Sequence, residues 1–457
     1  MSGWSSEFTF QSFSQIPTNF IGIARVGNSL FIGNGSTISA AITSGISNIG
    51  QKGKKGFGVG ICPNLPAGFS VLSGTYDQNN DNYGNYQYSD GSIMVWVPAF
   101  YYKYGTGAAG NGLAVNVVDI KDYSYFASVS AANTAGYALH RAFYNAGAIV
   151  PGFFVDKYLC SNNSGIASSI KNGLPLSSAA AHNPFSGLTG APSNTYSGAL
   201  AAAKTRGSKF FCNSRFIFNA LAMLSLAHGQ AASSTFDCAW YDPAGITNYP
   251  KGCNNNTLGD ANDTSLVFIY DGYSNCNKTG SANFLAKTTH NGQDSGVVDL
   301  NGTVWEINTG FISDGSLYYL LNTSVDITTL TGGNALSTDA WGATSIAANY
   351  TSIGATYGAL TASSTSKIIG NAAQVFDASL SGNAWAATCS GIPLLGGLGG
   401  TNLFGNDYLY DYRPADMCPV AGGYWSYGAP AGVWHLNLLN SRGGSADGVG
   451  FRSAYYL

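Results

Sequence analysis

Charge is what this sequence has least of. Only 9% of its 457 residues are Asp, Glu, Lys or Arg, against roughly a quarter in ordinary soluble domains. The net charge is −3, so no basic field steers the chain toward nucleic acid. The small basic run Lys52, Lys54 and Lys55 reads as a solvated turn. No apolar run approaches membrane-spanning length, and even Ile392 to Gly396 is far too short; no membrane insertion is expected. Met1 to Gln15 has no basic segment followed by an apolar one, so no secretory signal is expected. The eight cysteines lie far apart and form no CxxC pair. That pattern speaks against zinc and against a compact disulfide framework. Buried free thiols are expected, consistent with assembly in a reducing cytoplasm. The five histidines show no HxxxH or similar spacing. Neither a metal nor any other cofactor is expected.

What fills the space is Gly (60 residues), Tyr (28), Phe (24) and many Asn, Ser and Thr. Such surfaces occur in adhesins and paratopes, where Tyr supplies contact area and Ser, Gly and Asn supply adaptable hydrogen bonds. With so little charge to keep copies apart, the chain is expected to hide surface in an oligomer or a larger particle.

The alternation of apolar and polar residues predicts α+β architecture. Residues 1–55 read as a short β-rich segment for attachment or oligomerisation, with Phe20–Val26 and Ser29–Ile32 paired across Gly27-Asn28. Residues 56–457 read as one domain. Within it Ser92–Pro98 is a central strand and Gly152–Tyr158 a buried one. Helices are predicted over Ala131–Ala146, over Ser197–Thr205, and over Ser214–Ala232 with Asn213 as cap. Ile217, Leu221, Leu224 and Ala227 or His228 make one stripe on the last helix, with His228 as a core or boundary histidine. Ser265–Tyr270 is expected to be a strand, and Val297–Phe311 a strand pair turning at Asn301-Gly302. Residues 313–400 read as an insertion that projects from the core.

The C-terminal region 418–457 carries the functional signal. Two apolar frames, Val433–Leu439 and Val449–Tyr455, enclose a run containing Gly443, Gly444 and Gly448, which can only be a loop. Trp434, Leu436 and Leu438 fall at period two and share a face with the core, which Phe451 and Ala454 also pack. The alternate positions His435, Asn437 and Leu439 are expected to point outward. With Tyr424, Ser426, Tyr427, Ala429, Gly443, Gly444 and Asp447 they form the candidate contact patch. Exchanges in the patch should move stability by only about 0.5 kcal/mol. Losing a frame residue should cost about 3–5 kcal/mol. This is a display surface and no catalytic pocket, so no catalytic residue is assigned.

Two other polar motifs have structural readings. Asp77-Gln-Asn79-Asn-Asp81 alternates oxygen ligands but lacks the turn glycine and closing Glu of a calcium loop. Glu306 is expected to be a partly buried carboxylate paired with Arg452.

Several segments, in order, resemble a known family. Gly296-Val-Val-Asp-Leu-Asn-Gly-Thr-Val-Trp-Glu306 looks like the Gly-Leu-Tyr-Asp-Met-x-Gly-Asn-Val-Trp-Glu signature of the formylglycine-generating-enzyme type of C-type-lectin fold. Gly152–Tyr158 resembles its early strand, the helix pair 197–232 its two helices, and Gly450-Phe-Arg-Ser-Ala454 its closing strand. Together they span about residues 90–457. The tail, Trp434-x-Leu-Asn-Leu-x-Asn-Ser-Arg442 followed by Gly-Phe-Arg-Ser-Ala, is similar to the variable proteins of diversity-generating retroelements, the group that includes phage major tropism determinants. Ser92–Lys103 resembles phage tail-fibre and adhesin chains.

The resemblance implies a homotrimeric receptor-binding protein of a phage tail, assembled in the host cytoplasm and carried on the virion. It would bind a host cell-surface protein or glycan, and join tail or fibre proteins through its N-terminal segment. A cellular binding module of the same fold, or a relict of the catalytic branch, are the alternatives. The catalytic branch uses a cysteine pair near the closing strand. Here that region holds Cys418 alone, with Ser453 after Gly-Phe-Arg, and a single thiol forms no internal redox pair.

Overall fold

A computed structural model describes residues 22–26, 29–33, 38–42, 48–233, 249–330, 349–354, 365–370, 373–400 and 404–457. Two six-stranded sheets carry the architecture. In the first, the strand order is Phe210–Cys212, Ser453–Tyr456, Gly152–Asp156, Ile93–Pro98, Asn85–Tyr88, Phe69–Val71. In the second it is Thr365–Ile368, Tyr408–Asp411, Gly432–Asn437, Val420–Gly422, Trp305–Ile307, Val449–Gly450. Smaller sheets and hairpins surround them. The architecture is α+β, as its sequence pattern predicts.

The first sheet is covered on both faces, which explains why its strands read as unbroken apolar runs. Along Gly152–Asp156, Phe153 and Val155 face the main core while Phe154 faces a second cluster with Phe69, Trp96, Phe210 and Tyr455. Strand Ile93–Pro98 pairs with 152–156 on one side and 85–88 on the other, so it is central, and it ends at Pro98 as predicted. Gly22–Val26 and Ser29–Gly33 form the predicted N-terminal hairpin, closing at Val26 and Ser29.

The helix Arg215–Ala231 runs under the second sheet and touches strand Gly432–Asn437. Its cap is Ser214, one residue later than predicted: the Ser214 hydroxyl accepts from Ile217 N. Every residue from Arg215 to Gly229 is buried, so the apolar stripe is only part of an enclosed helix. His228 is in the core, its Nδ1 accepting from Gly53 N and its ring stacked on Phe57. The helix predicted at 197–205 is Gly198–Lys204.

Four expectations need correction. The helix predicted over Ala131–Ala146 is only Val129–Thr134. Gly136, at φ +81°, turns the chain, and Ala138–Leu139 then pairs with Tyr101–Tyr102. Ser265–Tyr270 is not a ladder strand. Side chains replace a neighbouring strand there: Val267 N donates to Asn283 Oδ1 and Ile269 N to Ser281 Oγ, and Tyr270 alone makes a bridge. Val297–Phe311 is not a strand pair. The chain does turn at Asn301-Gly302, but Val298 N bonds Lys157 O while Trp305–Ile307 joins the second sheet. Finally, the described part of 313–400 does not project. Tyr318, Leu320, Ile327, Phe376 and Ala387 belong to the main core.

The two sheets meet at the C-terminal segment. Val449–Gly450 runs parallel to Trp305–Glu306 in the second sheet, and Ser453–Tyr456 enters the first between 152–156 and 210–212. Arg452 stands at the crossing. Its Nε and Nη2 donate to the two Glu306 carboxylate oxygens at 2.6 Å each, and its other bonds go to the carbonyls of Asp156 (3.0 Å), Lys157 (3.4 Å) and Val298 (2.8 Å). The predicted ion pair is therefore present, bidentate and fully buried. Beside it Asp156 accepts from Ser453 N at 2.8 Å and pairs with Arg206 at 2.5 Å.

Glu306→Gln leaves the guanidinium buried without its counter-ion. It is expected to cost about 3–5 kcal/mol, read as a lower urea midpoint with unchanged slope. An unmoved midpoint would take this pair out of the supporting framework.

Candidate functional site

The strand Gly432–Asn437 lies inside the second sheet, antiparallel to 420–422 and parallel to 408–411. Its neighbours fix both edges, and Asp407 fixes its start by accepting from Trp434 N at 2.7 Å. Gly432 is required here, because a Cβ would lie 1.8 Å from an Asp407 carboxylate oxygen. Trp434 packs against Phe376 and Phe404, each with ring centroids 5.0 Å apart. Leu436, Leu438, Phe451 and Ala454 are all fully buried. The period-two frame is as the sequence predicts.

The opposite face of this strand is different from the expectation at its centre. His435 is fully buried, not outward-facing. The segment 424–431 folds back over it as consecutive turns, with Tyr427 N bonded to Tyr424 O and Ala431 N to Gly428 O. Trp305 and Tyr427 cover the imidazole edge-on at 4.6 and 5.0 Å. His435 Nδ1 bonds the Pro430 carbonyl at 2.6 Å, so the proton is on Nδ1. Burial, opposed in part by the Pro430 bond, pushes the ring's pKa down to about 3. His435 is a neutral support for Tyr427 and no contact residue in the isolated chain.

The other patch residues divide in two. Tyr424, Ser426, Tyr427 and Asn437 are half-buried, and Ala429, Leu439 and Gly443 are exposed. Gly444 and Asp447 are half-buried but committed. A Cβ at Gly444 would meet the Tyr196 ring at 2.7 Å. The Asp447 carboxylate accepts from Tyr273 Oη at 2.8 Å, and its carbonyl faces His182 Nδ1 at 2.8 Å. The loop is also tied to Ser178 through Ser445 and Ala446. Exchange at Asp447 therefore removes a bond, and the small cost expected for the whole patch does not extend to His435, Gly444 or Asp447.

Two residues that sequence reasoning missed complete the surface. Tyr408 and Tyr410 on the neighbouring strand are half-buried, alternating with buried Leu409 and Asp411. Tyr410 is in register with Asn437, and Tyr408 lies over His435 at 6.5 Å. Tyr427 sits close enough to Tyr410, Tyr424 and Tyr408 that, with burial as the larger cause, its hydroxyl pKa is raised. The alternation Tyr408-Leu-Tyr-Asp-Tyr412 was the available signal. The result is a set of four half-exposed tyrosines on one sheet face, bordered by Ser426, Ala429 and Asn437.

The structure also brings together His182, Asp271 and Cys276 beside Trp425 and Asp447. Their separation in sequence gave no motif. All seven described cysteines are free and buried. Burial holds the Cys160, Cys212 and Cys418 thiols above their ordinary range, which makes them poor nucleophiles. The Asp77–Asp81 segment bonds its own backbone, Asp77 Oδ1 accepting from Asn79 N and Asn80 Oδ1 from Asn82 N.

No protein-family model and no curated protein matches this sequence. Among solved structures it is similar to Major Tropism Determinant U1 Variant, at 13% identity over 99% of each chain with a TM-score of 0.30. It is also similar to the I1 Variant, at 13% over 96% of each chain, and the P3c Variant, at 12% over 99% of each chain, both with a TM-score of 0.30. No described helix is long and apolar enough to cross a membrane.

Two outcomes follow. His435→Ala opens a cavity under Trp305 and Tyr427 and is expected to cost about 2–5 kcal/mol. Ala429→Ser and Leu439→Ser should each stay within about 0.5 kcal/mol. Denaturant titration separates them, and equal costs would show that the surface is not divided in this way. The second concerns acid. Burial lowers the pKa of His140, His290 and His435 from 6.5 to about 3. The unfolded chain then binds more protons between those values. Stability is full above about pH 6.5 and falls with pH below it, by up to about 1.4 kcal/mol per histidine per pH unit. Midpoints flat from pH 7 to pH 4 would contradict these burials.

Proposed function

We propose that this chain is a non-enzymatic receptor-binding protein of a phage tail. It recognises the host surface through the tyrosine face of the second sheet. The observation that carries this reading is the placement of Tyr408, Tyr410, Tyr424 and Tyr427: four large, amphipathic rings, half-exposed, held on a sheet whose opposite side is core. Tyr loses little conformational entropy on contact, and small polar neighbours supply adaptable hydrogen bonds. Contact energy concentrates in such aromatic anchors. The sequence resemblance of residues 434–454 to variable proteins of diversity-generating retroelements gives the biological setting. Residues 1–55 then serve for attachment to tail or fibre proteins, and residues 56–457 form the receptor-binding domain on the virion.

The contact set is Tyr424, Ser426, Tyr427, Ala429, Asn437, Leu439 and Gly443, extended by Tyr408 and Tyr410. Gly444 and Asp447 shape the rim. A flat surface of this kind binds weakly per site. A homotrimer, repeated over several fibres, raises avidity by factors of about 10²–10⁴ where geometry permits simultaneous contact.

The test uses the labelled full chain and intact cells of the host strain. Tyr427→Ala and Tyr410→Ala are expected to reduce the cell-bound fraction at least tenfold while the protein stays folded by circular dichroism. Lys103→Ala, on another sheet, should leave adsorption unchanged. Adsorption indifferent to both tyrosines would overturn the assignment.

A further inference from the structure

The cluster beside Asp447 has the make-up of a metal site. The loop 271–276 is closed by Asp271 N to Cys276 O (3.1 Å) and Cys276 N to Tyr273 O (2.9 Å). These bonds bring the Asp271 and Cys276 side chains together. His182 comes from a turn far away in sequence, where Ser177 N bonds Asn183 O. One ligand atom from each of the three lies within 4.8 Å of the others. The His182 and Asp271 side chains are 2% and 0% exposed, and Cys276 is fully buried.

The hydrogen bonds of His182 are informative. Nδ1 lies 2.8 Å from the Asp447 carbonyl oxygen, an acceptor only, so Nδ1 carries a proton. Nε2 lies 2.7 Å from Asp271 Oδ2. In a neutral ring, two lone pairs would then face each other in a buried place. A positive charge must sit between or on them. A second proton on the ring also satisfies Nε2 and Asp271, and the Cys276 thiol then makes only long contacts, to the Asn277 and Thr303 carbonyls at 3.7 and 3.8 Å. A metal ion uses all three.

We propose that His182 Nε2, Asp271 and Cys276 bind a zinc ion. An imidazole, a carboxylate and a thiolate are zinc's ligand types. The outer contacts also fit. A zinc-bound imidazole commonly donates its other N–H to a backbone carbonyl, here that of Asp447. The Asp271 carboxylate is oriented by Tyr273 N, which donates to Oδ1 at 2.8 Å, and the Tyr273 ring stacks on His182 at 4.3 Å. A neutral imidazole and two anions balance a divalent ion, so the buried unit carries no net charge. Zinc bonds of about 2.0–2.3 Å place tetrahedral donors roughly 3.3–3.8 Å apart, so the three groups move by about 1 Å or less. A fourth ligand is not supplied by the three side chains, and water is the ligand that completes such a tetrahedron. The ion ties the turn 177–183 and the loop 271–276 to the segment that bears Asp447. This assignment rests on residues outside the tyrosine face and stands whether or not that face binds a receptor.

The experiment takes the reduced full chain, stripped with a chelator, and titrates it with Co²⁺ and Zn²⁺. Expected are one equivalent of either ion, a thiolate-to-cobalt charge-transfer band displaced by zinc, and a higher melting temperature with zinc. Cys276→Ser is expected to abolish the band, and His182→Gln to weaken zinc binding at least tenfold. Cys253→Ser, a neighbouring buried thiol, retains both. No charge-transfer band in the wild-type chain, together with a melting temperature indifferent to zinc, would overturn the proposal and assign the cluster to an imidazolium–carboxylate pair. The wild-type cobalt spectrum decides the matter even where a variant fails to fold.

Discussion

Arg452 occupies the place where the C-terminal segment leaves one sheet and enters the other. Its guanidinium reaches both: Glu306 belongs to the second sheet, and Asp156 O to the first. A charge with no exposure cannot be solvated by water, so its bonds must all come from protein. That requirement fixes the relative position of strands 152–156, 305–307 and 449–456 far more narrowly than apolar contact would. The neighbouring Asp156–Arg206 pair extends the same constraint to the turn after helix Gly198–Lys204. A chain with few charges has placed several of them where each has a defined partner.

Because the interior is fixed in this way, the outer face of the second sheet is free of structural duty at some positions and not at others. Tyr408, Tyr410, Ala429 and Leu439 stand on the sheet without closing it. His435 and Asp447 are embedded in contacts that hold the surface up. The division runs through a segment only twenty-four residues long, from Tyr424 to Asp447, and adjacent residues fall on opposite sides of it.

The framework was legible in the sequence because period-two alternation and a buried charged motif report directly on packing. Trp434, Leu436 and Leu438 and the central strand ending at Pro98 follow from local pattern, and Glu306 within an apolar run called for a cationic partner, which the fold supplies as Arg452. His435 did not, because alternation places a side chain on a face but says nothing of what covers that face; here it is Trp305 and Tyr427. The run Ser265–Tyr270 has a strand's composition, yet its donors are met by Asn283 and Ser281 side chains, which no periodicity reports. Tyr408 and Tyr410 alternate as a strand should, but only the parallel register with Leu436 and Asn437 shows that they share the surface. His182, Asp271 and Cys276 meet through tertiary structure alone.

The strand Ser453–Tyr456 lies between two others in the interior of the first sheet. A copy interrupted anywhere before it, by a premature stop or a shifted reading frame, leaves Gly152–Asp156 and Phe210–Cys212 with unpaired edges and no Arg452. Such a product cannot complete its interior. A shift of reading frame within the 424–447 segment therefore costs the fold its last strand and Arg452, whereas an in-frame exchange there keeps both.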